Sequence, residues 1–176
     1  DKITKKEVIL MKTVVITGSA RGLGFELAKC FKKNNYNVVL SDIMEETLLK
    51  SKKELEETIP SESNVISVVC DVTIESDLKN LMSETLEKFE GVDVWINNAG
   101  VNQPMLPIWE VESKSINKLI DIDLKSAIIG SKIAMKQMIE QGYGQIYGIE
   151  GYGSNDAMML GLSIYGTSKR GLTYFF

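Results

Sequence analysis

Thr17-Gly18-Ser19-Ala20-Arg21-Gly22-Leu23-Gly24 is the stretch that decides the fold of this 176-residue chain. An apolar run, Val14-Val15-Ile16, precedes it and an amphipathic segment over residues 25–31 follows it. This order predicts a strand, a glycine-rich turn and a helix. We expect Gly18 to make the tight turn, Gly22 to let a phosphate approach the backbone and Gly24 to let the helix pack closely on the strand. The free amides at the helix N-terminus then favour a nucleotide diphosphate. The alternative is a strand-to-helix turn whose glycines satisfy turn geometry alone.

The composition excludes several classes of function. Hydrophobic residues make up 44% and charged residues 25% of the chain, which is ordinary for a soluble globular protein. The net charge of −4 gives no reason to expect a nucleic-acid partner. The chain has no histidine, which excludes histidine-based triads and the commonest metal ligand. Acid–base chemistry must therefore use tyrosine, lysine or carboxylates, and we expect no metal site.

The predicted location is cytoplasmic. Cys30 and Cys70 form no CxxC motif, and we interpret them as reduced thiols. No apolar run approaches the roughly 20 residues that span a bilayer, and no signal peptide is visible. We therefore expect no membrane association.

Short apolar runs alternate with helical patterns along the chain, as in a parallel sheet that is covered on both faces. The predicted class is a doubly wound, Rossmann-like α/β fold of one domain over residues 11–176, with residues 1–10 interpreted as an N-terminal extension or an artefact. The predicted strands are residues 13–17, 37–41, 64–70, 92–96 and 146–149, and the predicted helices are 23–33, 45–58, 75–89, 110–141 and 165–176. We expect a break in the 110–141 region near Asp121–Asp123. A full fold of this type has about six strands, so we expect the last part of the sheet to be missing.

Three separated motifs carry a resemblance to a known family: Thr17-Gly-x-x-x-Gly-x-Gly24, Asn97-Asn98-Ala99-Gly100 and Tyr165-Gly-Thr-Ser-Lys169. In this order they resemble the short-chain dehydrogenase/reductase family, in its compact single-domain branch. The resemblance implies a nicotinamide-dependent oxidoreductase that interconverts a small secondary alcohol and a ketone. It also implies a homo-oligomer, formed through the long helices.

Cofactor-binding residues follow partly from spacing and partly from the resemblance. Asp42 lies 18 residues after Gly24, where a carboxylate binds the adenosine ribose and repels a 2′-phosphate, so we expect NAD. Arg21 leaves NADP as the alternative cofactor, because in relatives a basic residue at this position often accompanies binding of a 2′-phosphate. The resemblance places Asp71 and Val72 at the adenine, although Asp71 is also a good helix-start residue. The remaining residues that it places at the cofactor are Gly18, Ser19, Gly22, Leu23, Gly24, Asn98, Ala99, Gly100, Tyr165 and Lys169.

The pair Tyr165 and Lys169 carries the predicted chemistry. Residues four apart project from one face of a helix. An ammonium beside a phenol lowers the pKa of the phenol, so Tyr165 is expected to exchange a proton with an alcohol or a carbonyl. The resemblance assigns this role to Tyr165 and makes Lys169 a ligand of the nicotinamide ribose. The alternative is a Tyr and a Lys on an ordinary helix surface.

Two positions depart from the family pattern. Asp123 occupies the position of a relay asparagine, and Ile149-Glu150-Gly151 lacks the usual catalytic serine. The candidate replacement is Ser154, in a Gly-x-Gly-Ser segment similar to the chlorophyll b reductase-like branch; the alternative is a loop serine. These departures motivate a second hypothesis, a catalytically silent nucleotide-binding protein. Met158-Met159-Leu160 and Leu162 either wall a substrate pocket or belong to the core under the final helix.

Overall fold

The computed structural model describes residues 11–176, so the interpretation of residues 1–10 lies outside the described residues. Five parallel strands form one sheet in the order β3-β2-β1-β4-β5. The strands are β1 (Thr13–Thr17), β2 (Asn37–Asp42), β3 (Val65–Val69), β4 (Val94–Asn97) and β5 (Gln145–Gly148). The helices are α1 (Gly22–Lys33), α2 (Glu45–Thr58), α3 (Glu75–Phe89), α4 (Ser113–Ile120), α5 (Ser126–Gln141) and α6 (Ser163–Phe175). The predicted doubly wound α/β fold is confirmed.

The sheet has a hydrophobic core on each face. Neighbouring residues of one strand belong to different cores, because successive side chains point to opposite sides of the sheet. On one face, Val14 and Ile16 of β1 pack into a core with Phe25 of α1 and Leu48 of α2. On the other face, the core includes Val15 and residues of α3 and α5. Burial on both sides explains why the central strands β1, β2 and β4 contain continuous apolar runs without polar alternation, whereas β5 at the edge alternates between exposed and half-buried residues.

The predicted interruption near Asp121–Asp123 is present, but it is a change of helix type and not a gap between two helices. The backbone remains helical from Ser113 to Gln141, and a π-helical turn, Asp121–Lys125, joins α4 to α5. The wider turn inserts one residue without ending the helix. The start of the region also differs, because a short 3₁₀ turn, Ile108–Glu110, precedes α4. Other predicted ends lie within two residues of the observed ones.

The chain reverses direction across the sheet between β1 and β4. From β1 it proceeds outward through β2 and β3, then returns to build β4 and β5 on the opposite side of β1. Ligands of open α/β sheets bind at this reversal, beyond the carboxyl ends of the strands. Within residues 11–176, no helix combines the length and the apolar character needed to cross a membrane.

Candidate active site

A cavity of about 820 Å³ lies beyond the carboxyl ends of the strands. Residues that directly follow β1, β3 and β4 line it, together with the end of β2 and the start of α1. Of the residues predicted for the site, the cavity is lined by Gly18, Arg21, Gly22, Leu23, Gly24, Asp42, Asp71, Val72, Asn98, Ala99, Gly100, Asp123, Tyr165 and Lys169. Ser19 and Ser154 are not among its lining residues. One cavity therefore joins the glycine loop to the Tyr–Lys pair.

Glycine is favoured at each position of the loop for a different structural reason. Gly18 has a φ of +62°, and a Cβ there would come within 2.7 Å of the Ala99 Cα. A Cβ on Gly24 would clash with the Asn98 amide and come within 2.6 Å of the Gly18 carbonyl oxygen. Gly22 has a φ of +60° but nothing within 4 Å of a Cβ. Gly24 thus permits close packing of the helix on the loop, and Gly22 leaves the cavity open.

We predict that Gly24→Ala lowers the free energy of unfolding by about 1–3 kcal/mol and weakens nucleotide binding, because backbone and Asn98 must move. Gly22→Ala is the matched control. It has space for the methyl group and is expected to lose about 1–2 kcal/mol, from the left-handed backbone alone. Urea unfolding and NADH fluorescence titration measure both effects. Equal nucleotide affinity in Gly24→Ala and the wild type would contradict the packing argument.

Ser19 and Asn98 hold the loop in place. The Ser19 side chain is fully buried, donates to the Ile16 carbonyl at 2.8 Å and accepts from the Ser41 amide at 2.9 Å. It therefore ties β1 to β2, which differs from the cofactor contact that the resemblance implies. Asn98 donates to the carbonyls of Thr17 and Gly18, both at 2.9 Å. Its amide group supports the glycine loop from β4.

The nucleotide end of the cavity fits an adenosine diphosphate. No side chain of the residue preceding α1 caps its first turn, and Gly22 leaves space in front of it. Asp42 lines the cavity at the end of β2, with its carboxylate held by the amides of Ala20 at 3.2 Å and Met44 at 3.1 Å. These features suit a diphosphate at the helix and a ribose at the carboxylate.

Asp71 is oriented by a local turn. Its carboxylate accepts from the Thr73 amide at 2.9 Å and from the Thr73 hydroxyl at 2.7 Å. The helix-start alternative is wrong, because α3 begins at Glu75 and Ile74 holds its N-cap position. Asp71 and Val72 both line the cavity, so their proposed place at the adenine remains open to test.

Lys169 and Asp123 form a buried ion pair. The Lys169 Nζ lies 3.5 Å from Asp123 Oδ2 and donates to the Ile149 carbonyl at 3.2 Å. Asp123 Oδ1 accepts from the Val101 amide at 2.8 Å. Burial raises the pKa of Asp123, and the Val101 amide and Lys169 partly offset this. At the position where the family resemblance implies a relay asparagine, this protein therefore has a carboxylate that pairs with Lys169.

Tyr165 lies beside this pair. The Lys169 Nζ is 5.5 Å from the centre of its ring. Burial, with a smaller contribution from the Asp123 charge, raises the pKa of Tyr165 above its usual value. The direction of this pKa shift is opposite to the one that the Lys169 charge alone predicts, because burial disfavours the charged phenolate and the Asp123 carboxylate adds to this effect. The proximity of Tyr165 and Lys169 is as predicted, whereas the expected lowering of the pKa is wrong.

Ser154 is not among the residues that line the cavity. Its carbonyl accepts from the Arg170 guanidinium at 2.8 Å and the Thr173 hydroxyl at 3.2 Å, which holds this turn against the outer side of α6. At the position of the usual family serine, a Cβ on Gly151 would clash with the Tyr165 hydroxyl. The structure therefore brings glycine, and not Ser154, to the Tyr165 hydroxyl.

Sequence reasoning missed two polar residues. Glu150 lines the cavity next to Gly151. Gln103 is buried and accepts hydrogen bonds from the first turn of α6. Glu150 follows the predicted fifth strand directly, which was a usable signal. Gln103 gave none, because its partners lie 61 and 62 residues further along the chain.

The fold and this cleft define a doubly wound α/β protein with a dinucleotide-type site and a Tyr–Lys pair. The short chain dehydrogenase family matches residues 12–176. The chain belongs to this family.

Curated relatives cover nearly all of the chain. Chlorophyll(ide) b reductase NOL of Oryza sativa subsp. japonica, described as chloroplastic, is 32% identical over 92% of this chain and 47% of that protein. (+)-Borneol dehydrogenase 2 of Salvia officinalis is 31% identical over 83% of this chain and 50% of that protein. The chain thus spans about half the length of these relatives. The predicted likeness to the chlorophyll b reductase branch is confirmed, and a cytoplasmic location remains a prediction.

Solved structures share the fold. Levodione reductase superposes with a TM-score of 0.88 at 28% identity, over 93% of this chain and 63% of that chain. Xylitol dehydrogenase bound to NAD⁺ gives 0.87 at 25% identity, over 93% and 62%. A metagenomic short-chain oxidoreductase in complex with NADP gives 0.85 at 25% identity, over 94% and 74%. These neighbours support a nicotinamide cofactor of either kind.

Proposed function

We propose that the protein is an NAD(P)-dependent oxidoreductase that interconverts a secondary alcohol and a ketone. The observation that carries this proposal is the single cavity that contains the glycine loop, Asp42, Tyr165 and Lys169. A cofactor-binding loop and a proton-exchanging phenol in one cavity are what hydride transfer requires, because the nicotinamide nucleotide and the alcohol or ketone must bind side by side. The homo-oligomer that the family resemblance implies remains part of the proposal.

The residues divide the work between binding and proton transfer. The amides at the start of α1 bind the diphosphate, and Asp42 binds the adenosine ribose. A nicotinamide ring bound at the Tyr165 end of the cavity would supply or accept the hydride. Tyr165 donates its hydroxyl proton to the carbonyl oxygen during reduction and recovers one from the alcohol during oxidation. Lys169 binds the second ribose and contributes positive charge near the developing phenolate.

The test is a spectrophotometric assay at 340 nm with NADH or NADPH and a panel of ketones. The panel pairs uncharged ketones, diacetyl and cyclohexanone among them, with the anionic acetoacetate. Ketone-dependent oxidation of the reduced nucleotide supports the proposal. Nucleotide binding without turnover across the panel would favour the second candidate below.

Exposed apolar side chains in the loops before α4 and α6 support a preference for uncharged substrates. Met158 and Leu160, in the loop before α6, are 94% and 95% exposed, and Trp109 is 82% exposed. The core alternative for Met158 and Leu160 is therefore wrong. A Cβ on Gly161 would come within 3.2 Å of the Met105 backbone, so this loop packs closely on the segment that contains Met105. We infer that diacetyl and cyclohexanone are reduced with a higher kcat/KM than acetoacetate.

Cofactor choice is proposed to favour NAD through Asp42. We predict that Asp42→Asn raises the ratio of kcat/KM for NADPH over NADH by about tenfold or more, equivalent to ~1.4 kcal/mol. The charge that repels a 2′-phosphate is lost, while the amide oxygen still accepts a backbone hydrogen bond. Asp71→Asn removes the same charge elsewhere in the cavity and is expected to leave the ratio unchanged. Equal shifts in both variants would show that net charge, and not the ribose contact, governs the choice.

The second candidate is a catalytically silent nucleotide-binding protein. The specific observation in its favour is the position of Ser154, whose turn is held on α6 outside the cavity. A bound ketone would then lack the hydroxyl donor of the usual family site. This candidate predicts NADH binding without ketone-dependent oxidation, so the same assay separates the two.

A further inference from the structure

We propose that Gln103 is a positioning residue for Tyr165, which acts by capping the first turn of α6 from the loop after β4. The proposal rests on the proposed function, because Tyr165 must meet substrate for its position to matter. Gln103 Oε1 accepts from the Ile164 amide at 3.1 Å and from the Tyr165 amide at 2.9 Å. The second of these amides belongs to the residue whose side chain exchanges the proton.

The start of α6 depends on a partner from outside the helix. Leu162 occupies the N-cap position and supplies no side-chain hydrogen bond. The first amides of a helix have no acceptor within the helix, and an uncapped first turn unwinds readily. Gln103 satisfies two of these amides at once while its side chain is buried, with a relative exposure of 7%.

The loop from Asn98 to Gln103 connects the three parts of the site. Asn98 holds the glycine loop through the carbonyls of Thr17 and Gly18. The Val101 amide holds Asp123, which pairs with Lys169. Gln103 completes the set by holding the backbone of Tyr165. A single six-residue segment thus fixes the phenol relative to the nucleotide end of the cavity.

The geometry matters because proton and hydride transfer both require close approach. A displacement of about 1 Å at the reacting groups costs on the order of 100-fold in rate. Tyr165 is the third residue of α6, so fraying of the first turn moves it directly. Loss of the cap is therefore expected to lower kcat while the diphosphate and adenosine part of the nucleotide site, built from α1 and β2, still binds.

The two ends of the Gln103 amide differ in their hydrogen bonding, and this difference determines which variants to compare. The Gln103 Nε2 is buried and has no hydrogen-bond partner among residues 11–176. The donor half of this amide is thus dispensable for the cap, whereas the acceptor half is used twice. Gln103→Glu keeps the acceptor and suits the positive end of the helix dipole. Gln103→Met keeps a similar length and volume but removes the acceptor.

The first test is amide hydrogen exchange, measured by NMR on the full chain. In Gln103→Met, the Ile164 and Tyr165 amides are expected to exchange about tenfold faster or more, whereas Gln103→Glu retains protection. The amides of α2 serve as the internal control, since a general loss of stability would accelerate them too. Wild-type exchange at both amides in Gln103→Met would overturn the proposal, as would equal acceleration in α2.

The second test is kinetic. Gln103→Met is expected to lower kcat about tenfold or more, with the KM for NADH unchanged, and Gln103→Glu is expected to stay within about threefold of the wild type at its own pH optimum. A deficient Gln103→Glu variant, or an unaffected Gln103→Met variant, would overturn the positioning role. If the wild type shows no turnover, the proposed function fails. Titration of ¹³Cζ-labelled Tyr165 then decides about Gln103: an identical phenol pKa in Gln103→Met and the wild type overturns the proposal, and a different one supports it.

Discussion

Tyr165→Phe is expected to lower kcat for ketone reduction by about 10²–10⁴-fold and to leave NADH binding unchanged. The substitution removes one oxygen atom from a side chain that lines the cavity beside Lys169. The ring and its packing remain, so the cavity keeps its shape. The bound ketone, however, loses its proton donor, and hydride transfer would leave an alkoxide without a proton.

Stopped-flow measurement of NADH oxidation, with fluorescence titration of NADH binding, tests this expectation. Tyr152→Phe is the control. Tyr152 lies in the glycine-rich loop between β5 and α6, is 45% exposed and donates to the Met158 carbonyl at 3.3 Å, and it is not a cavity-lining residue. It is expected to retain wild-type kcat. A Tyr165→Phe enzyme with wild-type kcat would contradict the mechanism.

Local patterns account for most of the fold. The β1 and α2 bounds follow from the sequence alone, because a continuous apolar run or an amphipathic repeat with breakers at both ends has few competing structures. The cofactor end of the site is equally local. Gly22 and Gly24 are fixed by the needs of one turn, and Asp42 ends the next strand.

Contacts between distant segments explain what the sequence could not predict. The Gln103 cap joins segments 61 residues apart. Ser154 is placed by Arg170 and Thr173, and no spacing rule expresses how a loop packs against the far side of a helix. The direction of the Tyr165 pKa shift also depends on such contacts. The spacing of Tyr165 and Lys169 was informative, but the carboxylate that pairs with the lysine comes from the π-helical turn before α5.

Asp123→Leu is expected to lower the free energy of unfolding by roughly 3–5 kcal/mol, because it leaves the buried Lys169 ammonium without its counter-ion. Both partners of the pair are almost fully buried, with side-chain exposures of 7% for Lys169 and 0% for Asp123. The Val101 amide also loses its acceptor. Asp123→Asn keeps an oxygen for that amide, so it is expected to lose less. Urea unfolding compares the two: equal losses would contradict a contribution from the Val101 hydrogen bond, and wild-type stability in both variants would contradict a charge-based role.

Asp123→Asn further tests how the site sets its working pH. Burial and the Asp123 charge together raise the pKa of Tyr165, so the phenol stays protonated to higher pH. Reduction needs the protonated phenol and falls as pH rises through this pKa, whereas oxidation needs the phenolate and increases over the same range. Removing the carboxylate charge removes the smaller of the two causes. The falling limb for reduction and the rising limb for oxidation are both expected to move to lower pH.

The two limbs must move together, because one group controls both directions of the reaction. Profiles of kcat/KM against pH, recorded for ketone reduction and for oxidation of the corresponding alcohol, give the limbs separately. A shift in one direction of the reaction alone would mean that Asp123 acts on another group. An aspartate at this position therefore extends the pH range of reduction upward, and its replacement is expected to make oxidation measurable at lower pH than in the wild type.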